Sequence, residues 1–138
     1  MINFYSETDF NLQNETDVAA WISKVIHDEG FDEGEISYVF CNDDYLHKIN
    51  VEFLSHDTLT DIISFDNSIG KQIHGDVYIS TERVQENAQQ YNTLFIDELH
   101  RVIIHGILHY CGFKDKTDDE AAAMRGKEEQ ALSHRNFI

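Results

Sequence analysis

His105 and His109 stand four residues apart, and Asp115 follows six residues after the second histidine. On a helix that spacing stacks both imidazoles on one face, about one turn apart. Gly112 can adopt a left-handed conformation and end the helix. The chain can then turn back and bring Asp115 toward the histidines. Two neutral imidazoles and a carboxylate on one face, with a position left open, are how catalytic zinc is usually held. The competing reading is a helix whose histidines are hydrogen-bonded core residues. Glu98 and Arg101 precede His105 by seven and four residues and share its side of the helix. Glu98 lies too far along the axis to be a ligand but within range of a substrate or a water network, and Arg101 could meet a phosphate. The alternative for both is an ion pair on the helix surface with Asp97 or a neighbour.

His105, His109 and Gly112 fit the metzincin protease motif H-E-x-x-H-x-x-G-x-x-H, with Asp115 in the third-ligand place. The protease's glutamate, its general base, is replaced by Gly106, which cannot accept a proton. A closer match is H-G-x-L-H-x-x-G-[YF]-x-H, met by His105, Gly106, Leu108, His109, Gly112 and Phe113. The chain here resembles the YbeY family of bacterial endoribonucleases, with Asp115 where the family has its last histidine. Upstream, Asn50, Phe53, Asp57, Thr60, Asp61, Ser64 and Phe65 match the family run N-x-x-[YF]-R-x-x-D-x-x-T-[DN]-V-L-S-F, and Leu54 takes the arginine's place. Gly75-Asp76-Val77-Tyr78-Ile79 matches G-D-I-x-I, and the family shares the glutamate at position 98.

The resemblance, strongest over residues 50–115, implies a metal-dependent, single-strand-specific endoribonuclease. Its work would be 3′-end maturation of small-subunit (16S) ribosomal RNA and ribosome quality control. It implies one divalent ion, zinc foremost, on His105, His109 and Asp115. The implied partners are ribosomal RNA, the small ribosomal subunit, ribosomal proteins and an assembly GTPase, with no membrane. The ion would polarise a phosphoryl oxygen and acidify a water, more weakly than with a third histidine because Asp115 adds negative charge. The family arginine engages RNA phosphate, a role Leu54 cannot take; either another cation substitutes, such as Arg101, or catalysis is weaker or differently arranged. Two other classes stay open: a metal-dependent hydrolase of another substrate, a peptide included, and a non-catalytic ribosome assembly factor with a structural metal.

Composition sets the outer limits. A chain of 138 residues, 41% of them hydrophobic, suits one domain with a single core, here a YbeY-like hydrolase domain over residues 1–138. No apolar run is long enough to span a bilayer, and the amino terminus lacks a basic region followed by an apolar stretch, so the cytoplasm is the expected compartment. Cys41 and Cys111 make no disulfide framework there, and Cys111 reads as a packing residue. The formal charge of −16 argues against broad nucleic-acid binding. That deficit lies in residues 1–100, with 20 acidic and 4 basic side chains, whereas residues 101–138 carry 6 of each. RNA contact should therefore be local and near the ion.

Several elements must position these residues. Ile2 to Ser6 reads as a short strand. A helix with Asn14 and Thr16 as cap candidates carries Val18, Trp21, Ile22, Val25 and Ile26 and stops at Gly30. Ile36, Tyr38 and Phe40 alternate as a strand. Asn42 can cap a helix bearing Tyr45, Leu46, Ile49 and Phe53. The second half of the stretch Asn50 to Asp66 reads as a strand, as does Gly75 to Ser80. Ser80 or Thr81 caps a polar helix to about Tyr91, the histidine helix starts near Asp97, and Thr117 to Glu120 is a capping box opening the last helix. The order β-α-β-α-β-β-α-α-α predicts α+β, a small mixed sheet of about four strands with about five helices, the histidine helix in a cleft. Of the other histidines, His27, His47, His56 and His134 read as surface residues, and His74 as a marginal candidate for the cleft.

Overall fold

The structure is a computed structural model, and it describes residues 1–54 and 60–138, with Leu54 described by its backbone alone. The family-matching residue Asp57, with His56, lies outside the described residues. The elements are β1 (Ile2–Ser6), α1 (Glu15–Asp28), β2 (Asp32–Cys41), α2 (Asp43–Leu54), β3 (Ile62–Asp66), β4 (Gln72–Ser80), α3 (Thr81–Gln90), α4 (Phe95–Tyr110) and α5 (Asp118–Ser133). The four-strand mixed sheet with five helices is the α+β architecture expected from the sequence.

The sheet runs β1-β2-β4-β3. β1 and β4 flank β2 in parallel, and β3 lies antiparallel to β4 at the edge. Side chains alternate across the pleat. Ile36, Tyr38 and Phe40 of β2 and Ile73, Val77 and Ile79 of β4 therefore enter one core, against Trp21 and Ile22 of α1 and Ile103 and Ile107 of α4. The opposite face has a smaller cluster, Cys41, Leu46 and Ile63, with Phe65 and Tyr78 packed beside it under α2.

α4 is apolar around most of its circumference: Leu99, Val102, Ile103, Ile104, Ile107 and Leu108 are all buried. A helix of that kind belongs inside a fold, and α4 is packed between the sheet and the other helices. The buried Tyr38 hydroxyl donates to the Ile103 carbonyl at 2.9 Å, which satisfies both groups and ties the helix to the sheet. α4 begins at Phe95, two residues before the expected start, with Leu94 as its uncapped N-cap.

α5 is fastened at both ends. Its Thr117–Glu120 capping box forms as expected, and the Trp21 indole N–H donates to the Ala131 carbonyl at 2.8 Å. Asn42 and Ser80 cap α2 and α3 through bonds from the backbone N–H groups of Tyr45 and Arg83. Asn14 occupies the α1 N-cap in a left-handed conformation with no side-chain cap bond.

Candidate metal centre

The centre is built at the C-terminal end of α4, where Gly112 has φ +98°. The Gly112 N–H donates to the His109 carbonyl and the Phe113 N–H to the Leu108 carbonyl, both at 3.0 Å. This is a Schellman ending, which needs a left-handed residue and is steadied by an apolar contact just beyond it. Phe113, packed against the core, supplies that contact. The turn reverses the chain and carries Asp115 back over the helix end.

Three ligand atoms then converge. His105 Nε2 and His109 Nε2 are 3.0 Å apart, and Asp115 Oδ2 lies 3.2 Å from the first and 3.3 Å from the second. Each imidazole is oriented through its other nitrogen. His109 Nδ1–H donates to the Phe113 carbonyl at 2.9 Å, so the turn that delivers Asp115 also aims His109. His105 Nδ1–H donates to Glu128 Oε2 of α5 at 2.6 Å. With both Nδ1 atoms donating, both Nε2 atoms present lone pairs to each other and to a carboxylate oxygen. Three lone pairs at such spacing repel unless a cation lies among them. Ligands at zinc's usual bond lengths around a tetrahedron are separated by about 3.4 Å, so the group fits a divalent ion. Burial falls from His105 through His109 to Asp115, which leaves the fourth side toward solvent.

Behind His105 lies a buried charge network. Glu98 and Glu128 are each 3% exposed in their side chains. Arg101 joins them: its Nε and Nη2 donate to the two Glu98 oxygens at 2.9 and 2.5 Å, and its Nη1 donates to Glu128 Oε1 at 3.1 Å. Burial alone would raise the Glu128 pKa. The bond from His105 and the Arg101 charge outweigh it and hold the carboxyl below its ordinary value. Asp61, just before β3, is within electrostatic reach of Arg101 and His105, and burial raises its pKa. Asn87 Nδ2–H donates to its carboxylate at 3.3 Å.

The structure thus brings His105, His109 and Asp115 together. It places Glu98 and Arg101 in an ion-pair network rather than at the open face, with Asp97 paired instead to Arg135. His74 is held elsewhere, by the Glu35 N–H at 3.0 Å and by Gln72 at 2.9 Å. Cys111 is a half-buried packing residue whose thiol burial pushes up to about 12. Glu128 is the residue that sequence reasoning missed. Its signal was a carboxylate in register with Met124 and Ala131 on the buried face of α5.

Fold and centre together define an α+β protein of the metallohydrolase kind. The family described as Endoribonuclease YbeY matches residues 2–136, and the chain belongs to that family. It is 61% identical to Endoribonuclease YbeY of Christiangramia forsetii over 132 residues, covering 96% of this chain and 92% of that protein. Identity to the Flavobacterium johnsoniae protein of the same name is 57% over 133 residues, 96% of each. The solution structure of a Thermotoga maritima protein superposes with a TM-score of 0.69, covering 96% of this chain and 87% of the other; at 24% identity it speaks for the fold.

Proposed function

We propose that this chain is a zinc-dependent endoribonuclease that cuts single-stranded ribosomal RNA in the 3′-end maturation of the small subunit. The observation that carries the reading is the convergence of the His105, His109 and Asp115 lone pairs at 3.0–3.3 Å. A divalent ion bound there supplies Lewis acidity toward a phosphoryl oxygen and lowers the pKa of a water.

The chain's own residues do the rest. The Phe113 carbonyl and Glu128 hold the two rings with Nε2 facing the ion. Asp115, the most exposed of the three, completes the set from the solvent side. Arg101 is engaged by Glu98 and Glu128, so backbone phosphates are met by the ion and by Lys114 and Lys116, which are exposed on either side of Asp115. Gly106 supports the nuclease reading over a peptidase. It puts no carboxylate where a metzincin carries its general base, and it is packed against Ile62 and Val77 of the sheet. The ribosomal partners and a cytoplasmic site of action follow from the family resemblance. Among the described residues no helix is long and apolar enough to cross a membrane.

The test uses tag-free wild type beside His109→Ala. Elemental analysis should find about one zinc per chain in the wild type and none in the variant. Only the wild type should cut a single-stranded RNA carrying the unprocessed 3′ end, and chelation should stop it. Metal-free wild type that cuts equally well would refute the reading. Ribosome association by both proteins without cleavage by either would favour an assembly factor.

A further inference from the structure

We infer that Glu128 is a positioning residue that sets how tightly this chain holds its ion, and that Arg101 and Glu98 serve that residue rather than the substrate. The inference rests on the ion-site reading above and adds to it the part played by the buried network.

The two histidines are oriented by unlike partners. His109 meets a neutral carbonyl in the turn of its own helix. His105 meets a carboxylate from another helix, 23 residues away in sequence. A carboxylate on the far nitrogen both fixes the tautomer and makes the imidazole a stronger donor to a metal. His105 is also the more buried of the pair, so it has less freedom to find another orientation when that partner is lost.

Arg101 holds Glu128 in place for His105: its Nη1 donates to the Glu128 oxygen that His105 does not use. Arg101 is placed in turn by its two bonds to Glu98, an arrangement with geometric as well as electrostatic specificity. The order is Glu98, Arg101, Glu128, His105, ion. The carboxylates of Glu98, Glu128 and Asp115 outnumber the one guanidinium, so the cluster carries net negative charge that a dication balances.

The test compares metal-stripped wild type, Glu128→Gln and His105→Ala by zinc competition against a chromophoric chelator, by the visible spectrum of the cobalt-loaded proteins and by melting of the metal-free forms. Glu128→Gln should bind zinc 10- to 100-fold more weakly and shift the cobalt bands, while His105→Ala should lose stoichiometric binding. Wild-type affinity and an unchanged cobalt spectrum in Glu128→Gln would overturn the inference and leave the ion site intact. No ion bound by the wild type would overturn both. Should Glu128→Gln fail to fold, nitrogen-15 imidazole spectra of the metal-free wild type decide. His105 found with its proton on Nδ1 supports the inference, and His105 protonated on Nε2 refutes it.

Discussion

A Cβ added to Gly106 would lie 3.1 Å from Ile62 Cδ1 and 3.5 Å from Val77 Cγ1. The residue after the first histidine is thus packed directly against β3 and β4. Gly106→Ala gains helix propensity of about 1 kcal/mol and must displace the end of the Ile62 side chain, so the net change in urea unfolding should stay within about 1 kcal/mol. Gly106→Glu must bury a carboxylate against Ile62 and Val77. It should lose several kcal/mol and show no peptide hydrolysis, although it restores the metzincin pattern.

Asp115→Ala removes one of three ligands and should abolish stoichiometric zinc in elemental analysis. Asp115→His restores the family histidine and should keep the ion while altering the rate of RNA cleavage, since the ligand set then carries one less negative charge.

Arg101→Met should be among the most costly single substitutions, because it leaves Glu98 and Glu128 buried without their cation. A loss of about 3–5 kcal/mol is expected at neutral pH. It should shrink as the pH falls and Glu128, held below its ordinary value in part by Arg101, takes up a proton. Denaturant melts at pH 7 and pH 5 measure it; equal losses at both would show that Glu128 does not feel Arg101.

His100 provides a pH signature away from the ion. Burial, with Arg135 beside it, pushes the imidazole from 6.5 down to about 4. The unfolded chain therefore binds a proton that the folded chain refuses between those values. His100's contribution is fully present above pH 6.5 and is lost as pH falls toward about 4, by up to about 3 kcal/mol. The loss should weaken the packing of Phe137 on Trp21 and His100. Thermal melts of wild type and His100→Phe across this range should diverge, the variant lacking the decline.

Lys114 and Lys116 should matter to substrate and not to the ion. Their double replacement by alanine should raise the KM for RNA several-fold and flatten its salt dependence, with zinc content unchanged. An unchanged salt slope would place RNA recognition elsewhere.

The convergence of His105, His109 and Asp115 was legible because their spacing is local. A pair at i and i+4 followed by a helix-ending glycine constrains the backbone over eleven residues, and the positive φ of Gly112 is the conformation that reading requires. The strands and the helix faces were legible through alternation and through runs such as Val18, Trp21, Ile22, Val25 and Ile26. What spacing could not show was the partner of each charge. Arg101 and Glu98, which share a helix side with His105, read either as facing the substrate or as a surface ion pair with Asp97 or a neighbour. That side is roofed by α5, and the roof carries Glu128 from far along the chain. Such pairings are decided by packing between helices, to which periodicity within one helix is blind.

The bond from Glu128 to His105 also separates two moments in the life of the chain. By residue 115 a growing polypeptide already has both histidines and Asp115, yet the carboxylate that aims the first ring is not made until residue 128 and is not in place until α5 docks through Trp21. A nascent chain can own every ligand and still lack the oriented set, so the order in which the centre is translated is not the order in which it becomes competent.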